Sequence, residues 1–312
     1  MPDGGLGDGY LKVNDLGHYL HLPKNALNLR FGQFELDLPF SQARSINPTG
    51  YDIYGEAALS APALGIANNV FQLGAPQRGV EIGGYPNNGN FWWSVALVNG
   101  GNDNTAMRNS KDVFVNVWKQ FNLERDPNVR KEVQAAGPSG PRDHTSLRLG
   151  AFYYYGRNAL NADGLLFPDA PTAHFPFYRV GGQFRFKYRK FELYGLGMYG
   201  HDNNLQINES EDGFLPAPAV TFSGGFVQSE YWVYPWLIGI MRYDVVNSPS
   251  DFLNGASEHF TRNRFSPGVQ ILFRANIKGV FEYQRRWAQP VRDQISANSP
   301  RPVTVTSRSS PA

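Results

Sequence analysis

Residues 177–187 alternate almost without a break: Tyr178, Val180, Phe184 and Phe186 fall on one side, and Arg179, Gln183, Arg185 and Lys187 on the other. Successive side chains of a strand point to opposite faces, so this tract has one apolar and one charged face. Similar tracts recur at 9–14, 26–35, 78–85, 90–99, 112–122, 145–156, 190–200, 220–233, 236–246, 265–274 and 277–287, with a weak last one at 302–307. Tracts of about 9–11 tilted residues are long enough to cross a hydrocarbon layer. A chain made of them predicts an all-β fold, a transmembrane antiparallel β-barrel of about 12–16 strands with apolar residues outward and a wet lumen.

The connections support that reading. Pro86-Asn87-Asn88-Gly89, Tyr188-Arg189, Tyr234-Pro235 and Ala275-Asn276 are tight turns, whereas 100–111, 157–174, 201–219 and 247–264 are long and polar. Short and long links alternate along the chain, as in barrels with short periplasmic turns and long external loops. Two links depart from the scheme. Residues 36–77 predict a long loop that folds inward as a constriction or adds a hairpin. Residues 128–136, closed by Gly137-Pro138, predict a short helix. The barrel is then a single domain over 1–287, with 288–312 holding a last strand and a Ser-, Pro- and Arg-rich tail.

Composition sets the remaining bounds. The 312 residues carry a net charge of +2, too little to suggest nucleic-acid binding. Aromatic residues reach 14% and charged residues only 18%, which suits strands with aromatic girdles. The mean hydropathy of −0.41 hides such strands, because half of each one is polar. With no cysteine, the chain holds no disulfide, no thiolate metal site and no Cys-x-x-Cys-His haem attachment. The opening Met1-Pro2-Asp3-Gly4-Gly5 has neither a basic nor an apolar leader region, and the expectation is that an N-terminal portion is missing.

Parity assigns the faces. Trp93, Val95 and Leu97 face outward, as do Leu147, Leu149, Tyr153 and Tyr155, because a charge in their place would cost roughly 2–4 kcal/mol at the bilayer midplane. In 237–245, Ile238 and Ile240 share a face with Arg242 and Asp244, so parity leaves its direction open. The pore-lining candidates are Arg30, Arg148, Arg179, Arg185, Lys187, Arg242, Arg274, Lys278 and Arg286, with Glu81, Glu230 and Glu282. Glu192 and Asp244 share the inward parity. Basic residues exceed acidic ones, and rings of Arg and Lys favour anions in a pore. Each Arg can equally be a strand-to-strand ion pair lining a wet tube.

No catalytic constellation is legible, and the chain is not expected to be an enzyme. There is no Gly-x-Ser-x-Gly elbow, and Gly4-Gly5-Leu6-Gly7-Asp8-Gly9 opens no helix that could cradle phosphate. His18 and His21 have helical spacing within a stretch that reads as a turn. The clusters Phe91-Trp92-Trp93 and Tyr153-Tyr154-Tyr155 read as interfacial girdles or as sugar-stacking surfaces. No cofactor or metal is expected.

Several strings occur in one order: Asn28-Leu29-Arg30-Phe31-Gly32-Gln33-Phe34 followed by Pro39-Phe40-Ser41-Gln42-Ala43-Arg44-Ser45, then Arg78-Gly79-Val80-Glu81-Ile82-Gly83-Gly84, Trp93 to Gly100, Tyr231 to Asp244, and Ser266 to Arg285. Over about 9–287 the chain resembles the phosphate-selective porin O/P family of outer-membrane barrels. That resemblance implies a passive channel for anions or small solutes in the outer membrane of a Gram-negative bacterium, as a homotrimer with more strands than are counted here. The family's Lys and Arg ladders do not match residue by residue, so phosphate selectivity is not implied. The chain also ends in Ser309-Ser310-Pro311-Ala312 rather than in an aromatic-terminated strand. The string Gly32 to Ser45 is also similar to barrels fused behind a c-type cytochrome, which would make this chain the sheath of an electron conduit with its haem upstream. A third reading is a plugged barrel serving as an anchor.

Overall fold

The computed structural model describes residues 9–40, 77–86, 89–99, 111–124, 145–160, 173–202, 207–210, 213–216, 220–251, 258–274 and 277–290. Among them one antiparallel meander accounts for almost everything: β1 (Gly9–Val13), β2 (Asn28–Phe34), β3 (Gln77–Gly84), β4 (Phe91–Val98), β5 (Asp112–Asn122), β6 (Ser146–Leu160), β7 (Ala173–Tyr188), β8 (Phe191–Asp202), β11 (Val220–Tyr234), β12 (Leu237–Asp251), β13 (Glu258–Arg274) and β14 (Ile277–Glu282). Each strand pairs with the next. β15 (Arg285–Pro290) continues the line of β14 along β13, after a break at Tyr283-Gln284. β9 (Ile207–Ser210) and β10 (Gly213–Pro216) form a separate hairpin between β8 and β11. The edges β1 and β14 are not paired with each other among the described residues.

The alternation drawn from sequence is realised on the central strands. On β4, Trp92, Ser94, Ala96 and Val98 are buried, while Trp93, Val95 and Leu97 lie outward. On β5, Asp112, Phe114, Asn116 and Gln120 are buried against Val113, Val115 and Val117 on the other face. The ambiguous tract of β12 resolves inward: Ile238, Ile240, Arg242, Asp244 and Val246 are all buried, and Met241 and Tyr243 are exposed. Parity had no answer there because the interior is not uniformly polar. Its centre is a continuous cluster including Phe34, Phe114, Phe152, Tyr154, Phe177, Tyr194, Leu196 and Phe226, which Ile238 and Ile240 join in being buried on the same face.

Four connections differ from the sequence expectation. β6, β7, β12 and β13 run past the expected strand ends, because Arg157–Leu160 pairs with Ala173–Pro176 and Val246–Asp251 pairs with Glu258–Arg262. Of the expected loops, 157–160 and 173–174 are therefore strand, as are 247–251 and 258–264; residues 161–172 and 252–257 lie outside the described residues. The two-residue turns are Arg189-Lys190, with Arg189 at φ 50°, and Pro235-Trp236, each one residue later than the sequence suggested. Of the expected inward loop 36–77, Leu36 and Leu38 do fold into the interior, both almost fully buried; residues 41–76 lie outside the described residues, as do the expected helix 128–136 and strand 302–307.

The outward face is apolar. From β4 to β12 its described side chains carry a single charge, Lys119, near the end of β5 and resting over the Phe121 ring at 5.2 Å. Leu97, Leu149, Tyr153, Val180, Tyr199, Val227, Met241 and Tyr243 are exposed there. Tyr178 and Tyr188 mark the two ends of this face on β7, ten residues apart. At ~3.3 Å per residue, that separation is about 25 Å in height for strands tilted near 40°, as membrane barrels have.

Candidate functional site

The inner face carries the charge, and two parts of it are built on opposite principles. The first spans β8 to β13. Tyr194 donates from its hydroxyl to Glu230 Oε1 at 2.7 Å, and Gln228 Nε2 donates to the same oxygen at 2.8 Å. Arg242 reaches Gln228 Oε1 at 3.3 Å and Asp244 Oδ1 at 2.9 Å. Arg264 closes the chain on Asp244 Oδ2 through Nη2 at 2.9 Å. Register brings these groups together, since Gln228 faces Arg242 and Asp244 faces Arg264 across adjacent strands. Two guanidinium groups balance two carboxylates, and every member is buried. Buried charges persist when they are paired and hydrogen-bonded in this way.

The second part lies on β5 to β8, beside the short turns. Arg148 and Arg185 stand directly opposite one another across β6 and β7. Like charges in that relation repel. Arg148 is held by Gln120 Oε1 at 2.9 Å and lies 4.1 Å over the Trp118 ring. Arg185 pairs with Glu192 at 2.6 Å, with its side chain 34% exposed. Lys187 is half-buried and faces Glu192 in register. The three cations thus gather at a partly open position around Glu192, which itself faces Glu230 across β8 and β11. This is where the inner face has a surplus of positive charge.

Between and above these parts, the segment after β2 crosses the interior. Asn116 Nδ2 on β5 donates to the Asp37 carbonyl at 2.8 Å, fixing the segment from one side. From the other side Phe40 stacks on Tyr194 at 5.1 Å and meets Phe226 edge-on at 5.7 Å. The Arg185 guanidinium lies 5.6 Å from the Phe40 ring. Phe40 therefore sits where the apolar centre meets the basic patch.

The remaining candidates divide clearly. Arg30 pairs with Glu81 at 2.8 Å and lies 4.1 Å over the Phe34 ring. Arg179 is fully buried, with Nη1 donating to the Tyr178 carbonyl at 3.0 Å and the His201 carbonyl at 3.3 Å, so it braces the β7–β8 backbone. Lys278 and Glu282 keep inward parity on β14, half-buried. The side chains of Arg274 and Arg286 lie outside the described residues. Trp92 and Trp93 part company: Trp93 faces outward, and Trp92 is buried inside. In the tyrosine cluster, Tyr154 turns inward and donates to Asp112 at 2.6 Å, while Tyr153 faces outward. His18 lies on a 3-10 turn, Leu16–Leu20, and His21 caps it.

Sequence reasoning missed Arg264, Trp118 and Phe40. Arg264 lies one residue before the expected start of its strand. Trp118 shares the Asn116–Gln120 parity, a signal that was available. Phe40 follows Pro39 in a segment without periodicity, where nothing local points inward. No protein-family model, no curated protein and no solved structure matches this chain.

Proposed function

We propose that this chain is an outer-membrane β-barrel, a porin that lets small anionic solutes diffuse through its interior, with the Arg148, Arg185 and Lys187 group drawing them in. The observation that carries the reading is the pair of directly opposed arginines on the inner face. A purely structural role would favour balance, as on β11 to β13. An unbalanced pair raises the local concentration of anions instead. The membrane part of the proposal rests on the outward face, which is nearly free of charge over a height of about 25 Å, matching the apolar band of such barrels. The ordered likeness to phosphate-selective porin O/P strings agrees with both. The segment Leu36–Phe40 would then narrow the bore.

A second reading has its own support. The apolar cluster and the crossing segment fill the centre of the inner face, as expected of a plugged barrel that serves as an anchor. Conductance in a planar bilayer separates the two. Stepwise, anion-preferring conductance supports the porin. A silent bilayer with correctly folded protein supports the plug, and sinks the diffusion reading.

A further inference from the structure

A cavity of about 130 Å³ opens on the inner side of β1 to β4, its Tyr85 and Trp92 wall adjoining Trp118, the ring beneath Arg148. Tyr85 and Trp92 form one wall, their rings 4.1 Å apart and tilted by 36°. Asn28, Arg30, Asp37 and Glu81 supply polar groups around it. Two buried donors there, Trp92 Nε1 and Arg30 Nε, have no hydrogen-bond acceptor among the described residues. Buried donors are nearly always satisfied, so each marks a place for an acceptor atom brought from outside.

We propose that this cavity binds one ring of a neutral sugar. Charge rules against an ion. Lys12 and Arg30 offset Asp37 and Glu81, and Arg30 is already paired with Glu81, so the cavity has no surplus of either sign. Size suits a single ring, being close to the ~150 Å³ cavity that accepts a benzene-sized guest. Chemistry suits a polyol. A pyranose has an apolar face that lies on an aromatic ring, here the outer face of the Tyr85–Trp92 stack. Its edge carries adjacent hydroxyls, each both donor and acceptor. Their oxygens would accept from Trp92 Nε1 and Arg30 Nε, and their hydrogens would go to the carboxylates of Asp37 and Glu81 and the Asn28 carbonyl. A water cluster could satisfy the donors but would gain nothing from the aromatic wall. The site goes beyond the anion pathway proposed above and does not depend on it.

The test is calorimetric titration of the full chain, folded in detergent micelles, with glucose and separately with sulfate. Saturable glucose binding is expected, weakened about tenfold in Trp92→Ala, the upper end of what one aromatic contact contributes. Trp92→Phe, which keeps a ring and removes only the N–H, should also weaken it. The outward Trp93→Phe should not. Circular dichroism and heat-shifted gel mobility check that each variant is folded. The proposal is overturned by the lack of saturable glucose binding, by binding that ignores Trp92→Phe, or by sulfate occupying the site in preference to glucose. Conduction plays no part in this readout. A conducting protein that binds no glucose loses only this site, and a glucose-binding protein that is silent in the bilayer loses only the diffusion reading.

Discussion

The β11–β13 side of the interior and its β6–β8 side use the same residue types on the same face of one sheet, with opposite outcomes. On β11–β13, Arg242 and Arg264 share Asp244, the network runs on to Glu230 and Tyr194, and all of it is sealed from solvent. On β6–β8, Arg148 faces Arg185, and the nearby carboxylate, Glu192, pairs with Arg185 while facing Lys187 in register. A charge placed on an inner face therefore does not define its role. Register decides it. A carboxylate directly across makes a brace; a second guanidinium directly across leaves like charges opposed, the arrangement on which the proposed draw on anions rests.

That contrast can be broken most readily at Asp244. Asp244→Ala strands two buried guanidinium groups and should cost roughly 3–5 kcal/mol, seen as a lowered urea midpoint for unfolding. Glu192→Ala removes the corresponding carboxylate on the other side, where Arg185 is partly in water, and should cost under about 1 kcal/mol. Equal losses would abolish the distinction between the two regions. Next in size, Phe40→Ala removes an aromatic stack worth about 0.5–1.5 kcal/mol beyond area burial, and should raise single-channel conductance by widening the interior. Unchanged conductance would mean that Phe40 does not narrow the path. Replacing Arg148 and Arg185 together by glutamine should leave stability unaltered or improve it by roughly 0.2–1 kcal/mol, since a repulsive pair disappears. A marked loss would recast them as structural. The smallest effect concerns salt. Anion preference should fade toward 1 M salt, where the screening length shrinks to about 3 Å, while the urea midpoint set by the sealed network barely moves.

Much of the fold was legible because alternation is a property of the sequence itself. The strand positions, the pairing of neighbours and the outward set Trp93, Val95, Leu97, Leu149 and Tyr153 all follow from it. What alternation cannot provide is which face is inside when both are apolar. Ile238 and Ile240 were ambiguous for that reason, and their burial shows which face of β12 is inside. The ends of β13 were also hidden. Glu258–Arg264 reads as polar on both faces, so Arg264, one of the two deepest buried arginines, fell outside the expected strand. The candidate site was legible as a list of inward charges but not as pairs. Arg148 opposite Arg185, and Asp244 opposite Arg264, depend on register between strands that the sequence joins by long loops, whose lengths do not fix it. The crossing of Leu36–Phe40 is a tertiary event held by Asn116 and Tyr194, and no local signal encodes it.

The central claim is that the opposed arginines of β6 and β7 select anions. It is tested most directly by the reversal potential of the protein in a planar bilayer under a potassium chloride gradient, compared with the Arg148→Gln/Arg185→Gln protein. The account predicts an anion-selective potential in the natural chain that moves toward neutrality, or reverses, in the double variant, with the fold intact by circular dichroism. Identical potentials in the two proteins, or cation selectivity in the natural chain, would contradict it.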